Sequence, residues 1–205
     1  MAFEPTSGVA CGKIRLTQTP NTQSLETERL RLRHWDSSDI SQIHLLLADP
    51  EVMQFSENGA LNEHDQMTWL QRATTRQPQS ALPGCLAIEQ KNDNRVIGYV
   101  SLTQDLGRVQ SGDVEIGFRL LKSVWGRGYA TEAAHRLICA TQLSGSFERF
   151  VGIVDPANRS SVQVLKKLGM SLIGGVMLDG YTYADHLYAM DVSAICGLQK
   201  VTAST

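Results

Sequence analysis

The chain has few of the features that mark membrane proteins or disulfide-stabilised folds. Its 205 residues include four scattered cysteines without a Cys-x-x-Cys pair, and five isolated histidines. This spacing argues against a disulfide framework and against a zinc site, so we expect reduced structural thiols and no metal. No apolar run approaches the roughly 20 residues that span a bilayer, and the N-terminus lacks the basic start and apolar core of a signal peptide. We therefore expect a cytoplasmic protein without a membrane partner.

The chain also lacks an excess of charge of either sign. Nineteen basic and twenty-one acidic residues give a formal net charge of −2, which supplies no global attraction for DNA. The apolar fraction of 42% is typical of a soluble globular protein, and the length suits one domain. We place that domain at residues 25–193, between a polar leader at 1–24 and a C-terminal tail at 194–205.

Alternating and helical hydrophobic patterns predict a mixed α/β fold. Polar turns join several strands into an antiparallel meander, and a buried strand after the third long helix is of the kind that follows a crossover helix. The result is a mostly antiparallel central sheet flanked by about four helices. Strands are predicted at 29–33, 85–90, 96–102, 114–120, 150–154, 172–178 and 187–192, helices at 40–49, 62–76, 130–143 and from 158, and a helical turn at 51–55.

Two glycines, Gly126 and Gly128, join the strand that begins near Asp113 to the helix that follows. Glycine lets the backbone turn sharply and leaves the amide hydrogens uncovered. The first amides of a helix have no internal acceptor and lie at its positive end, so this turn suits a phosphate or pyrophosphate. The alternative is a tight turn that binds nothing.

This stretch resembles the acyl-CoA pyrophosphate loop of the GNAT N-acetyltransferases, which reads Gln/Arg-x-x-Gly-x-Gly/Ala. Gly128 and Ala130 match its last two fixed positions, whereas Trp125 stands where the family usually has Gln or Arg. The longer run Trp-Gly-x-Gly-Tyr-Ala-Thr-Glu-Ala resembles the branch of the RimJ/RimL-type ribosomal-protein N-terminal acetyltransferases. Further matching motifs, in the family's order between residues 26 and 192, are Glu28–Arg33, Asp49–Met53, Glu115–Phe118, Asp155–Ser161 and Leu168–Met170.

The resemblance implies a GNAT fold in which splayed central strands form a cleft for acyl-CoA. It also implies transfer of an acetyl group from acetyl-CoA to an amine, either a protein N-terminus or a small molecule, by a monomer or homodimer. The alternative is a non-catalytic acyl-CoA-binding or sensing protein, because the chemistry asks for few obligatory side chains. A P-loop is excluded, since no Gly-Lys-Ser/Thr follows, and a Rossmann site lacks its third glycine.

On this resemblance the pyrophosphate would lie on the loop and the pantetheine arm along the central strand. Phe118 and Leu120 would offer main-chain hydrogen bonds, and a bulge in their strand would supply an oxyanion donor. Asn158 and Ser161, at the start of a helix, would touch the pantetheine, although Asn158 also suits a helix cap. The expected loop contacts are Trp125, Gly126, Arg127, Gly128, Tyr129, Ala130 and Thr131, with Arg127 adding charge near the phosphates.

The proton donor to the leaving thiolate has several candidates. Other GNAT branches carry a tyrosine seven residues after the helix-capping Asn, and this chain has Leu165 there. The candidates that remain are Ser161, which we rank first, Tyr181, Tyr183 or a water.

The candidate base is Glu115, which lies on the central strand opposite its apolar residues. A carboxylate there suits deprotonation of an ammonium through a water. Asp185 and His186, in the last hairpin, are weaker alternatives.

Overall fold

The structure is a computed structural model that describes residues 24–75, 82–104, 110–141, 147–177 and 182–193. Within these ranges eight strands form one sheet and five α-helices cover it. The predicted C-terminal tail and all but the last residue of the predicted leader lie outside them. The strands are β1 Leu25–Glu26, β2 Leu30–Arg33, β3 Gly84–Gln90, β4 Val96–Thr103, β5 Asp113–Leu120, β6 Arg149–Val154, β7 Ser171–Val176 and β8 Asp185–Asp191. The helices are α1 Ile40–Leu47, α2 Pro50–Met53, α3 Glu63–Thr74, α4 Tyr129–Thr141 and α5 Arg159–Lys167.

The strands lie in the order β1-β2-β3-β4-β5-β6-β8-β7. Among the described strands β5 and β6 run parallel, and every other neighbouring pair is antiparallel. The helix α4 connects β5 to β6 and is the crossover that a parallel pair requires. The predicted mixed, mostly antiparallel α/β fold is therefore confirmed.

Helices cover both faces of the sheet. On one face, Trp69 of α3 lies 5.3 Å from Tyr99 of β4, measured between ring centroids. Tyr99 pairs with Ala87 of β3, so Gln90, three residues further along β3, points to the opposite face. There the Gln90 amide donates to the Tyr129 hydroxyl at 3.0 Å, which places the start of α4 on that face. The sheet thus separates α3 from α4.

The central strand β5 lacks the bulge that the resemblance implied. Its pairing with β4 runs without interruption from Gly98–Leu120 to Thr103–Glu115, so no residue of either strand is left over. Register shifts occur instead where β3 pairs with β4 and where β7 pairs with β8. An opening beside β5 must therefore come from another cause.

That cause is the divergence of β5 from β6. The two strands pair from Asp113–Arg149 to Glu115–Val151, whereas β5 continues to Leu120 and β6 to Val154. The predicted splay of the central strands is thus present. It opens a wedge whose walls are β5, β6 and the helices that begin at their carboxyl ends.

Most predicted elements are found, with small differences at their ends. The predicted helix at 62–76 begins at Glu63 because Asn62 caps it, its Oδ1 accepting from the Asp65 amide at 3.0 Å. Met67, predicted to pack inward from this helix, is 46% exposed. Strand β1 was not predicted, since two residues are too short to show alternation. No helix in the described ranges is long and apolar enough to cross a bilayer.

Candidate active site in the cleft between β5 and β6

The wedge holds a cavity of about 1030 Å³, a size suited to a large organic ligand. Arg127, unlike the other predicted loop positions, does not line this cavity. The other sequence-predicted positions are brought together there. They are Glu115, Phe118, Leu120, Trp125, Gly126, Gly128, Tyr129, Ala130, Thr131, Asn158 and Ser161.

The backbone of β5 presents hydrogen-bonding groups to the cleft. The Leu121 amide donates to the Ile97 carbonyl of β4 at 2.9 Å. Since successive residues of a strand direct their backbone groups to opposite sides, those of Leu120 and Phe118 face away from β4. β6 has already diverged at this point, so they face the gap. The Leu120 carbonyl accepts there from the Trp125 indole nitrogen at 2.8 Å.

The turn after β5 has the geometry of an anion-binding loop. Gly126 and Gly128 adopt φ of +74° and +81°, which side-chain-bearing residues rarely adopt. Glu132 makes the first helical bond, its amide donating to the Gly128 carbonyl at 3.0 Å. The amides of residues 129–131 precede that bond and lie at the positive end of a 13-residue helix. This is the geometry that helix N-termini offer to phosphate groups.

Arg29, for which the sequence predicted no role, immediately precedes strand β2 and contacts this loop. Its Nε donates to Glu132 Oε2 at 2.7 Å, and its Nη1 donates to the Arg127 carbonyl at 3.1 Å. Its guanidinium also lies 4.4 Å from the centre of the Tyr129 ring. Thr27 joins the same cluster through its hydroxyl, which donates to Glu132 Oε1 at 2.5 Å. The Arg29 guanidinium thus lies beside the loop, paired with the Glu132 carboxylate.

Asn158 caps helix α5 on the opposite wall of the cleft. Its Oδ1 accepts from the Ser161 amide at 3.1 Å, so the cap that the sequence suggested is present. Leu165, one turn further, is 2% exposed and packs on β6. A β-carbon at Gly152 would lie 2.6 Å from Leu165 Cδ2, so this wall is already tightly packed. A tyrosine in place of Leu165 would not fit without rearrangement.

Of the two tyrosine candidates for the acid, the structure describes only Tyr183. Tyr181 lies outside the described residues. The Tyr183 hydroxyl donates to Asp155 Oδ2 at 2.6 Å, and Tyr183 does not line the cleft. Of the alternative bases, Asp185 is buried and lines the cleft, whereas His186 does not.

Glu115 belongs to a polar strip on the face of the sheet that α3 covers. Cross-strand pairing sets Thr103 beside Glu115, and Tyr99, which contacts Trp69 of α3, beside Arg119. Side chains directly opposite on an antiparallel pair share a face. Glu115 is half-buried and lines the cavity. The candidate base therefore lies on the face opposite the loop and α4.

The end of this strip at Arg119 is partly aromatic, and the sequence did not predict a role for it. Arg119 contacts the Met53 sulfur of α2 and lies 5.9 Å from the Tyr99 ring centre. Burial raises the pKa of the Tyr99 phenol, and the nearby Arg119 charge only partly opposes that shift. Tyr99 therefore stays protonated at neutral pH. Over the ranges the structure describes, no cluster of three or more His, Cys, Asp or Glu side chains is placed to hold a metal.

Solved structures with the same architecture identify the class of protein to which this fold belongs. An acetyltransferase of the GNAT family from Bacillus anthracis superposes with a TM-score of 0.71, at 21% identity, over 83% of this chain and 99% of its own. The acetyltransferase MccE, solved with acetyl-CoA and AMP, gives a TM-score of 0.66 at 20% identity over 80% and 93%. Spermidine N-acetyltransferase from Vibrio cholerae, solved with CoA and spermine, gives 0.65 at 16% over 82% and 98%. The fold is that of the GNAT acetyltransferases.

Sequence comparison then gives the family. The profile of the acetyltransferase (GNAT) domain matches residues 29–171, so the chain belongs to that family. The uncharacterised protein YkkB of Bacillus subtilis is 27% identical over 148 residues, which are 71% of this chain and 84% of YkkB. The uncharacterised N-acetyltransferase p20 of Bacillus licheniformis is 26% identical over 152 residues, 74% and 84% of the two chains.

Proposed function

We propose that this protein transfers the acetyl group of acetyl-CoA to a primary amine by direct attack. The observation that carries the proposal is the wedge between β5 and β6, with a double-glycine loop at one end and a carboxylate at the other, in a chain of the GNAT family. In the reaction the amine nitrogen forms a bond to the acetyl carbon and the carbon–sulfur bond breaks. The ammonium must first lose a proton, and the thiolate must gain one.

The donor would be held mainly by backbone. The amides of residues 129–131 would receive the pyrophosphate, and the Arg29 guanidinium, although paired with Glu132, would lie beside them. The backbone of Phe118 would bond the pantetheine arm along the gap. Because α4 and this loop lie on one face of the sheet and Glu115 on the other, donor and acceptor would approach the gap from opposite faces.

Glu115 and Ser161 are the proposed base and acid. Glu115 lines the cleft on the acceptor face, and Ser161 lines it from α5 on the opposite wall. Asp185 is the next base to test, since it is buried and lines the same cavity. Asn158, whose Oδ1 is used by the helix cap, still has an amide nitrogen to offer the pantetheine.

Finer features of the proposal rest on motifs and on relatives. We place the chain in the RimJ/RimL-like branch on its Trp-Gly-x-Gly-Tyr-Ala-Thr-Glu-Ala run, and we propose a cytoplasmic monomer or homodimer whose domain spans residues 25–193. Among proteins of the same fold, one was solved with spermine and another with AMP. The ligands of these two proteins differ widely in charge, so we seek the acceptor of this chain in its own residues.

The test is amine-dependent release of free thiol from acetyl-CoA, in the presence of EDTA, with the acetylated amine identified by mass. Transfer should require both substrates and should persist without metal. Stabilisation by CoA together with no thiol release above the amine-free control would contradict transfer. That result would favour the non-catalytic acyl-CoA-binding alternative.

A further inference from the structure

The strip on the acceptor face has opposite charges at its two ends. Glu115 and Arg119 lie four residues apart on β5 and therefore on the same face. Gly117 lies midway and has no side chain, and a β-carbon there would lie 2.7 Å from the Ser101 hydroxyl of β4. The Ser101 hydroxyl therefore occupies the space over Gly117, and it forms the floor of the strip between an acid and a cation.

Arg119 contacts uncharged groups. Its contacts are the Met53 sulfur and the face of the Tyr99 ring, neither of which carries a negative charge. Among the described residues it forms no ion pair. The arginines that do pair with carboxylates are Arg29 with Glu132, Arg31 with Glu26 and Glu89, Arg33 with Asp39 and Glu89, and Arg149 with Asp113.

This environment favours an anionic partner supplied by a ligand. The Arg119 side chain is half-buried, and its neighbours replace only part of the water that would otherwise solvate its guanidinium. A guanidinium in such a place gains most from a carboxylate, which it binds through two parallel N–H···O bonds. The contacting rings of Trp69 and Tyr99 restrict access to the Arg119 guanidinium and lower the polarity around it. A lower polarity strengthens a hydrogen bond to a carboxylate.

The position of Arg119 assigns it to the acceptor rather than to the donor. It pairs with Tyr99 on the face that α3 covers, and it contacts Met53 of α2. The loop at Gly128 and helix α4 lie on the other face. The phosphates of the donor are therefore met by the loop and Arg29, and the charge of Arg119 remains available to whatever enters from the helical side.

We propose that the acceptor is an amine that carries a carboxylate two or three bonds from its nitrogen, as an amino acid does. The ammonium would lie against the Ser101 hydroxyl, toward Glu115, and the carboxylate would pair with Arg119. The two-residue step from Gly117 to Arg119 along β5 spans about 6.6 Å. That distance suits the short amine-to-carboxylate separation of an amino acid plus one hydrogen bond of about 2.8 Å. Polyamines, which bring only positive charge to Arg119, should be poor acceptors. The inference rests on the proposed acetyl transfer.

The experiment compares amines that differ only in the carboxylate. Phenylalanine is paired with phenethylamine, and methionine with 3-(methylthio)propylamine; 2-aminoethylphosphonate tests another anion, and spermidine a polyamine. Each amine is assayed with the wild type, Arg119→Gln and Arg119→Lys. The exposed Arg95→Gln, in the turn between β3 and β4, is the matched control. The ratio of wild-type to variant kcat/KM for one amine is independent of that amine's own pKa.

Arg119→Gln should lower kcat/KM for the amino acids about ten- to a hundredfold and leave their decarboxylated partners within about twofold, with CoA affinity unchanged. For the amino acids, the kcat/KM of Arg119→Lys should lie between those of the wild type and Arg119→Gln. The kcat/KM of Arg95→Gln should match that of the wild type. An equal loss on both members of each pair, a wild-type preference for the decarboxylated amines, or a parallel loss of CoA affinity would overturn the proposal.

A binding measurement separates this inference from the proposed function. If CoA binds but no amine is acetylated, transfer fails as the function. The carboxylate site then still predicts that phenylalanine, but not phenethylamine, raises the melting temperature of the wild-type CoA complex, and that Arg119→Gln abolishes the effect. Absence of that stabilisation would overturn the site.

Discussion

The two glycines of the loop allow a matched test of which one faces the phosphates. Gly126 and Gly128 have nearly the same φ, +74° and +81°. A β-carbon at Gly126 would meet nothing within 4 Å, and one at Gly128 only the end of the Arg29 side chain at 3.7 Å. Alanine at either position therefore introduces strain without a clash.

The expected loss of stability is the same for both. Left-handed backbone costs alanine about 1–2 kcal/mol, and the smaller entropy of the unfolded alanine variant offsets about 0.4–1 kcal/mol. The net loss is about 1 kcal/mol, or about 2–4 °C in Tm for a chain of this length. Urea unfolding should give equal losses for Gly126→Ala and Gly128→Ala.

The effect on CoA binding should differ between them. The methyl group of Gly128→Ala would occupy the approach to the loop amides, and loss of one hydrogen bond to a charged phosphate costs about 1.5–3 kcal/mol, at least tenfold in Kd. At CoA equal to 100 times the wild-type Kd, the ligand stabilises the wild type by about 2.7 kcal/mol and a tenfold weaker variant by about 1.4 kcal/mol.

The assay is urea unfolding with and without CoA, in EDTA. Gly128→Ala should lose about half of the CoA-induced stabilisation or more, whereas Gly126→Ala should keep nearly all of it. Equal CoA-induced stabilisation in both variants and the wild type would refute the assignment of Gly128 to the phosphates.

Three further substitutions test the rest of the site, and one thiol-reactivity measurement tests the core beside it. Ser161→Ala and Glu115→Gln should each lower kcat about 10²- to 10⁴-fold with CoA affinity unchanged, and Glu115→Gln should also flatten the acidic limb of the pH–rate profile. Full activity of Glu115→Gln would point to Asp185, and a loss of CoA affinity in step with activity would make Ser161 a binding residue only. Arg29→Gln should lower the free energy of unfolding by less than about 1 kcal/mol, because the ion pair is partly exposed, yet weaken CoA binding; unchanged CoA affinity would reduce Arg29 to a surface contact. Desolvation raises the pKa of the half-buried Cys85 thiol to about 12, so at pH 8 this residue should be alkylated slowly until urea unfolds the chain, and rapid modification of Cys85 in the native protein, located by peptide mapping, would contradict that.

The elements of the fold were predictable because their signals are local. Strands β3, β4 and β5 show alternating or continuous apolar runs bounded by turn residues, and Asn62 and Asn158 mark helix starts with their own side chains. The double-glycine loop was visible for the same reason. Strand β1 was missed since its two residues are held only by pairing with β2.

The parts of the site that were missed depend on contacts between distant residues. Arg29 reaches Glu132 across 103 positions, and Arg119 reaches Met53 across 66. No local pattern distinguishes these arginines from solvated ones on a strand. The expected bulge in β5 was wrong because family resemblance does not determine the register of one strand pair.

The central claim is that the donor lies in the wedge with its pyrophosphate on residues 126–131. Amide hydrogen exchange of the protein with and without saturating CoA tests it most directly, since bound phosphate and pantetheine would shield the amides they contact. The account predicts slower exchange at the amides of residues 128–131 and at Phe118, and little change along β7 at the far edge of the sheet. Unchanged exchange in the loop, with protection elsewhere, would contradict it.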